Sequence, residues 1–226
     1  MGSDSKVAKS DSQIVGNVND ELFFDPRVKD LDGIAVWADD GAITLRGTVG
    51  SFHQKRAATQ AAKRVHGVRK VDNELEVRLM TEARREDSDI RAAALQALML
   101  DTVVPAETVD VSVSIGWLTL TGTVQWQYQR DAADDDVAPL LGVVGIDDQI
   151  IVETDASPLD VADRIHEAFA RNAELGDTDV DVTTDAGTVT LSGVVGSWTE
   201  HDEAIGAASS AAGVTSVRDY LEVIVG

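Results

Sequence analysis

One nine-residue stretch occurs three times in this 226-residue chain: Gly41-Ala42-Ile43-Thr44-Leu45-Arg46-Gly47-Thr48-Val49, then Gly116-Trp117-Leu118-Thr119-Leu120-Thr121-Gly122-Thr123-Val124, then Gly187-Thr188-Val189-Thr190-Leu191-Ser192-Gly193-Val194-Val195. A period of 71 to 75 residues sets the number and size of the folding units before any other feature is read. Twenty residues after the second glycine of each stretch stands another, at Gly67, Gly142 and Gly213, each followed by valine. The spacing predicts a flexible start over 1–11, three units over 12–79, 87–153 and 158–225, and linkers over 80–86 and 154–157. Units of this size bury only modest cores, so packing between neighbours is expected to help.

Within each unit the order is helix, strand, strand, helix, strand. Apolar residues fall at helical spacing in Ile14, Val18 and Leu22, in Ile90, Ala94 and Leu98, and in Val161, Ile165 and Phe169, predicting first helices over 12–24, 88–102 and 158–175. Asp87-Ser88 and Ser157-Pro158 supply start signals. In the repeated stretch Ile43, Leu45 and Val49 alternate with polar residues, the pattern of a hairpin covered on one side. Gly47, Gly122 and Gly193 fall on its apolar side, where a missing side chain would admit a helix. Second helices around 53–66, 127–141 and 199–212 are rich in alanine, and Pro139 should end or kink the middle one. The expected fold is α+β: three tandem α-β-β-α-β domains, each a small mixed three-stranded sheet with two helices packed on one face.

Charge narrows the partners. The net charge is −21, yet residues 12–79 hold ten Lys/Arg against ten Asp/Glu, whereas 87–153 and 158–225 each carry −10. Such acidity disfavours nucleic acid. There is no cysteine, hence no disulfide and no thiolate metal site, and no apolar run long enough to span a bilayer. Met1 to Asp11 is polar and lacks the apolar core of a secretory signal, which points to the cytoplasm, or to the periplasm if a signal has been removed.

Two features stand out as binding candidates. Strand alternation turns Trp37 and Trp117 outward, at positions where the other units carry Ser112 and Thr183, or Ala42 and Thr188, so the fold itself does not require them. They either cover each other or pack between units, or they mark a partner or lipid surface. Phe52 and Trp198 are expected to be core staples. The second feature is a basic helix face of Lys55, Arg56, Lys63 and Arg64, suited to anionic headgroups or, in a second copy of the chain, to acidic surface such as Asp134 to Asp136. Solvated helix is the plainer reading of it. Asp177-Thr178-Asp179-Val180-Asp181 opens like a calcium loop, but Val182 and Thr188 stand where glycine and glutamate are needed. Asp147-Asp148 is expected in a turn, where it could touch a cation. His53, His66, His166 and His201 form no ligand pair, and no catalytic, zinc or phosphate-loop motif occurs, so neither an enzyme nor a cofactor is expected.

The hairpin glycine followed at fixed distance by a Gly-Val step, three times in register over nearly all of residues 12–225, resembles the BON (bacterial OsmY and nodulation) domain. The resemblance implies a non-enzymatic protein tied to osmotic or envelope stress, contacting a protein partner or a phospholipid surface. Secretin and mechanosensitive-channel assemblies and potassium binding also occur in that family, so a small-ligand or cation sensor acting through backbone carbonyls is the alternative.

Overall fold

The computed structural model describes residues 10–153, 161–172, 175 and 178–224. Unit one comprises α1 (Asp11–Phe24), β1 (Ile34–Asp39), β2 (Ala42–Val49), α2 (Phe52–Lys63) and β3 (Lys70–Val77). Unit two repeats the order as α3 (Asp87–Leu100), β4 (Val109–Ser114), β5 (Trp117–Val124), α4 (Gln127–Val137) and β6 (Gly145–Val152). Unit three has α5 (Val161–Arg171), β7 (Asp179–Asp185), β8 (Thr188–Val195), α6 (Trp198–Ser209) and β9 (Ser216–Val223). Each unit owns a separate three-stranded sheet with the repeated stretch as its central strand. That strand pairs antiparallel with the one before it and parallel with the last, the second helix making the crossover that parallel pairing needs. The α+β architecture of three mixed sheets and six helices is therefore the one the repeat predicts. The expected linker 154–157 and the Ser157-Pro158 start lie outside the described residues.

Each core follows the two periodicities. Ile14, Val18 and Leu22 from α1 meet Ile43 and Leu45 from β2 and Ala57, Ala58, Ala61 and Ala62 from α2, all buried. Alanines keep α2 close to the sheet, and the larger first-helix side chains fill the remaining space. Ser10 caps α1 through a reciprocal pair with Gln13. At α3 the Asp87-Ser88 start signal supplies no cap: Glu86 is the cap residue without a side-chain bond, and the Asp87 carboxylate instead accepts the backbone N–H groups of Ile115 and Gly116, 2.8 and 2.9 Å away. Asp11 holds the matching turn in unit one through the N–H groups of Asp40 and Gly41. The first helix of each of these units is thus pinned to the hairpin turn by its own first residue. α4 ends at Val137, ahead of Pro139.

The hairpin glycines differ from expectation. What stands nearest to Gly47 and Gly122 is strand-entry backbone and not a helix. A side chain at Gly47 would collide with the Gly33 carbonyl oxygen and one at Gly122 with that of Thr108, where the backbone enters the first strand. Both residues are left-handed, at φ +124° and +133°, and Gly193, at +120°, stands likewise against the Asp179 carbonyl. The close approach of a helix belongs to the other glycine: a Cβ at Gly67 would lie 3.2 Å from Ile14 Cδ1, and one at Gly142 2.8 Å from Ile90 Cδ1. Strand periodicity assigns a face but not what crosses it, which is why the helix approach expected at Gly47 and Gly122 falls instead at Gly67 and Gly142.

Candidate functional site

The charged second helices meet one another. Counting from the helix start, Phe52, Gln127 and Trp198 are equivalent, and so are Arg56, Asp131 and Asp202 four residues on. Arg56 reaches from unit one to unit two, its Nη1 2.6 Å from Asp134 and its Nη2 2.5 Å from Asp135. Asp131 bonds Ser209 of unit three. Asp202 faces Lys63 of unit one at 3.8 Å. The same helix position therefore reaches from one to two, from two to three, and from three back to one. Head-to-tail contacts of this kind close a ring.

The residues that open these helices follow the same direction. Phe52 packs against the core of unit two. The Trp198 indole N–H donates to the Val68 carbonyl of unit one at 2.9 Å, and Lys63 Nζ sits 4.2 Å above its ring. Both were expected to staple their own cores; they also, and in Phe52's case chiefly, serve the seams. A cleft of about 880 Å³ lies along the closing seam, lined by Lys63, Arg64 and His66 on one side and Ser197, Trp198 and Asp202 on the other.

Burial in the seams shifts their carboxylates. It pushes Asp134 up in spite of Arg56, and Asp131 up in spite of Gln127 and Ser209. Asp136 is pushed up to about 6 by burial and by the neighbouring Asp101 carboxylate. Arg27 and then Arg64 hold Asp25 far below the usual carboxylate range.

His201 is the most unusual titrating group. It is buried, with Nδ1 3.0 Å from Asp202 and Nε2 2.8 Å from Asp219, and it meets Trp198 edge-on at 4.7 Å. Burial opposes its charge, but the two carboxylates outweigh burial and the nearby Lys63, and its pKa is raised. Unit two has Arg130 and Asp148 at these two places, paired at 2.7 Å. In unit one they are Lys55 and Asn73, joined through the Lys55 carbonyl.

The predicted candidates separate accordingly. Arg56 and Lys63 are in the seams, and Arg64 braces Glu21 and Asp25 within unit one. The complementarity expected between chains is thus made inside one chain. Trp37 and Trp117 remain outward, each more than half exposed and in different sheets. Arg46 lies over the Trp37 ring at 5.6 Å. The Trp117 ring occupies the space that a side chain at Gly145 would take. Asp147 and Asp148 lie within β6 rather than in a turn, Asp148 held by Arg130 and Asp147 by Gln149, while Asp179 to Asp185 form a strand; Asp177 lies outside the described residues. Among the described residues no cluster of His, Asp or Glu is placed to hold a metal, and no helix is long and apolar enough to cross a membrane.

A further feature went unread in the sequence. Phe23 and Phe24 at the end of α1, and Met99 and Leu100 at the end of α3, are 70–77% exposed. They sit at the same place in two units, just past the last core residue, where unit three has Ala170 and Arg171. The signal was available: the stripe ending at Leu22 and Leu98 leaves these four residues out of phase.

The BON domain family matches the chain over residues 10–78, 86–154 and 159–224. Osmotically-inducible protein Y of Escherichia coli (strain K12) is 32% identical over 140 residues, which are 60% of this chain and 69% of that protein. Two structures of CdsD, a structural protein of the Type III secretion system of Chlamydia trachomatis, align over 96% and 95% of this chain and 100% and 93% of theirs, at 12% identity and TM-scores of 0.26 and 0.25. At such TM-scores the likeness carries no argument.

Proposed function

The chain belongs to the BON domain family, and from that membership we propose that it is a non-enzymatic binding protein of an osmotic-stress response, docking on a protein partner or a phospholipid surface. The name of its Escherichia coli relative supports the stress assignment. The observation that carries the docking reading is the repeated pair of exposed apolar helix ends, Phe23-Phe24 and Met99-Leu100. Four large side chains this exposed, at one position in two successive units, are not required by either core and suit an interface. Because Arg56, Lys63 and Arg64 are already paired, the attraction is apolar rather than electrostatic.

The test is co-sedimentation with phosphatidylcholine and phosphatidylglycerol vesicles, beside capture of partners from osmotically shocked lysate. Replacing all four residues by serine should abolish whichever binding the native chain shows, and leave the thermal melt within a few degrees. Binding that survives this variant, or a native chain that binds neither vesicles nor protein, would refute the reading.

A further inference from the structure

The hairpin turn of unit two contains a residue that its fold does not favour. Ile115 has φ +53° and is 85% exposed. It is the one β-branched residue with left-handed backbone among the described residues. A β-branched side chain is strained in that region, and an apolar one so exposed gains nothing from burial. The same turn position holds Asp40 in unit one and Ala186 in unit three. Asp40 there pairs with Arg69 at 2.6 Å; the residue at Arg69's place in unit two is Val144, which packs beside Gly116. An ion pair in one unit has become an apolar pair in the next.

That apolar pair lines a cleft of about 540 Å³, between the end of β3, the linker after it, and the turn. Its volume falls within the range of small-molecule sites, roughly 300–1,000 Å³. Val77 and Leu79 continue the apolar wall, and Arg84 and Arg85 stand at its edge. The Arg84 guanidinium has no hydrogen-bond or ionic partner among the described residues, and that of Arg85 donates only to the backbone carbonyls of Glu82 and Arg84, at 2.8 and 2.7 Å. Asp87 also lines the cleft, its carboxylate taken by the turn's N–H groups, and so does Arg78, whose guanidinium pairs with Glu76. In a chain of net charge −21, two adjacent guanidinium groups without a carboxylate are an open demand for one.

We propose that this cleft binds an aliphatic carboxylate, with the head on Arg84 and Arg85 and the chain along Ile115, Val144 and Leu79. The planar forks of two arginines match a carboxylate, and the other charged side chains that line the cleft, Arg78 and Asp87, already have partners in Glu76 and the turn's N–H groups. The site stands apart from the helix ends Phe23-Phe24 and Met99-Leu100, so either proposal can fail without the other.

The full chain is titrated with decanoate below its micelle-forming concentration, followed by calorimetry and backbone amide shifts, with acetate and decanol as head-only and chain-only probes. Decanoate should saturate, shifting amides around Ile115 and Arg84, and each half-probe should bind at least about tenfold more weakly. Ile115→Asp, which restores the residue used in unit one and relieves the strained turn, should weaken decanoate about tenfold while the melt holds or rises. Arg84→Ser with Arg85→Ser should weaken it as much. Absence of decanoate binding, undiminished binding to both variants, or equally tight binding of decanol would overturn the proposal. So would vesicle binding that Ile115→Asp abolishes while decanoate does not bind, since the cleft would then serve a bilayer.

Discussion

His201 faces a carboxylate at each ring nitrogen, and a neutral imidazole has only one N–H to offer. The geometry therefore suits the imidazolium, the permanent charge that Arg130 supplies at the same place in unit two. A folded-state pKa raised above the unfolded value means stability that is fully present below about 6.5 and lost as pH rises through the folded value. Asp136, pushed up to about 6, acts in the same direction, because its ionisation also opposes folding. Comparing wild type with a single variant isolates the histidine. His201→Ala should cost about 1.5–3 kcal/mol at pH 6, by loss of charge-assisted hydrogen bonds, with the cost shrinking toward pH 9. Denaturant titrations of both proteins across that range check it, and a difference independent of pH would show that His201 is merely packing.

At the scale of the element, the sign of a glycine substitution separates backbone constraint from tolerance. Gly122 joins a left-handed backbone to the Thr108 carbonyl beside it, so Gly122→Ala should cost about 2–4 kcal/mol from the two strains together. Gly206 lies inside α6 with nothing within 4 Å of the added Cβ, so Gly206→Ala should gain up to about 1 kcal/mol. Chemical denaturation of the two variants should move in opposite directions. Most elements could be read from the sequence because the alternation of Ile43 and Leu45 and the stripe of Ile14, Val18 and Leu22 are local properties of the chain. What crosses Gly122, and what Asp87 caps, depends on segments distant in sequence.

For the whole molecule the deciding feature is the ring, whose three seams use one helix position in turn. Arg56→Glu would set a third carboxylate against Asp134 and Asp135, replacing two short, partly buried ion pairs by repulsion, at about 1–3 kcal/mol. The seam between units one and two should open while each unit stays folded, since each sheet and the buried residues of each core come from one unit, with Phe52 alone among the described residues packed from unit one against the core of unit two. Small-angle scattering should show a larger radius with unchanged far-ultraviolet circular dichroism. Loss of secondary structure instead would mean that the units depend on their seams.

The sequence by itself determined the number of units, their order of elements and the residues of each core, because three copies in register report the same local periodicities three times over. It also exposed Arg56, Lys63 and Arg64 as anomalous in an acidic chain, and Trp37 and Trp117 as unneeded by their strands. Only the tertiary structure decided that Arg56 and Lys63 close seams within the chain, that His201 meets Asp219, and that Ile115 and Arg84 share a cleft. These are pairings across 78, 139, 18 and 31 positions. Periodicity tells which way a side chain points from its own element, whereas what it meets is set by the packing of other elements against it.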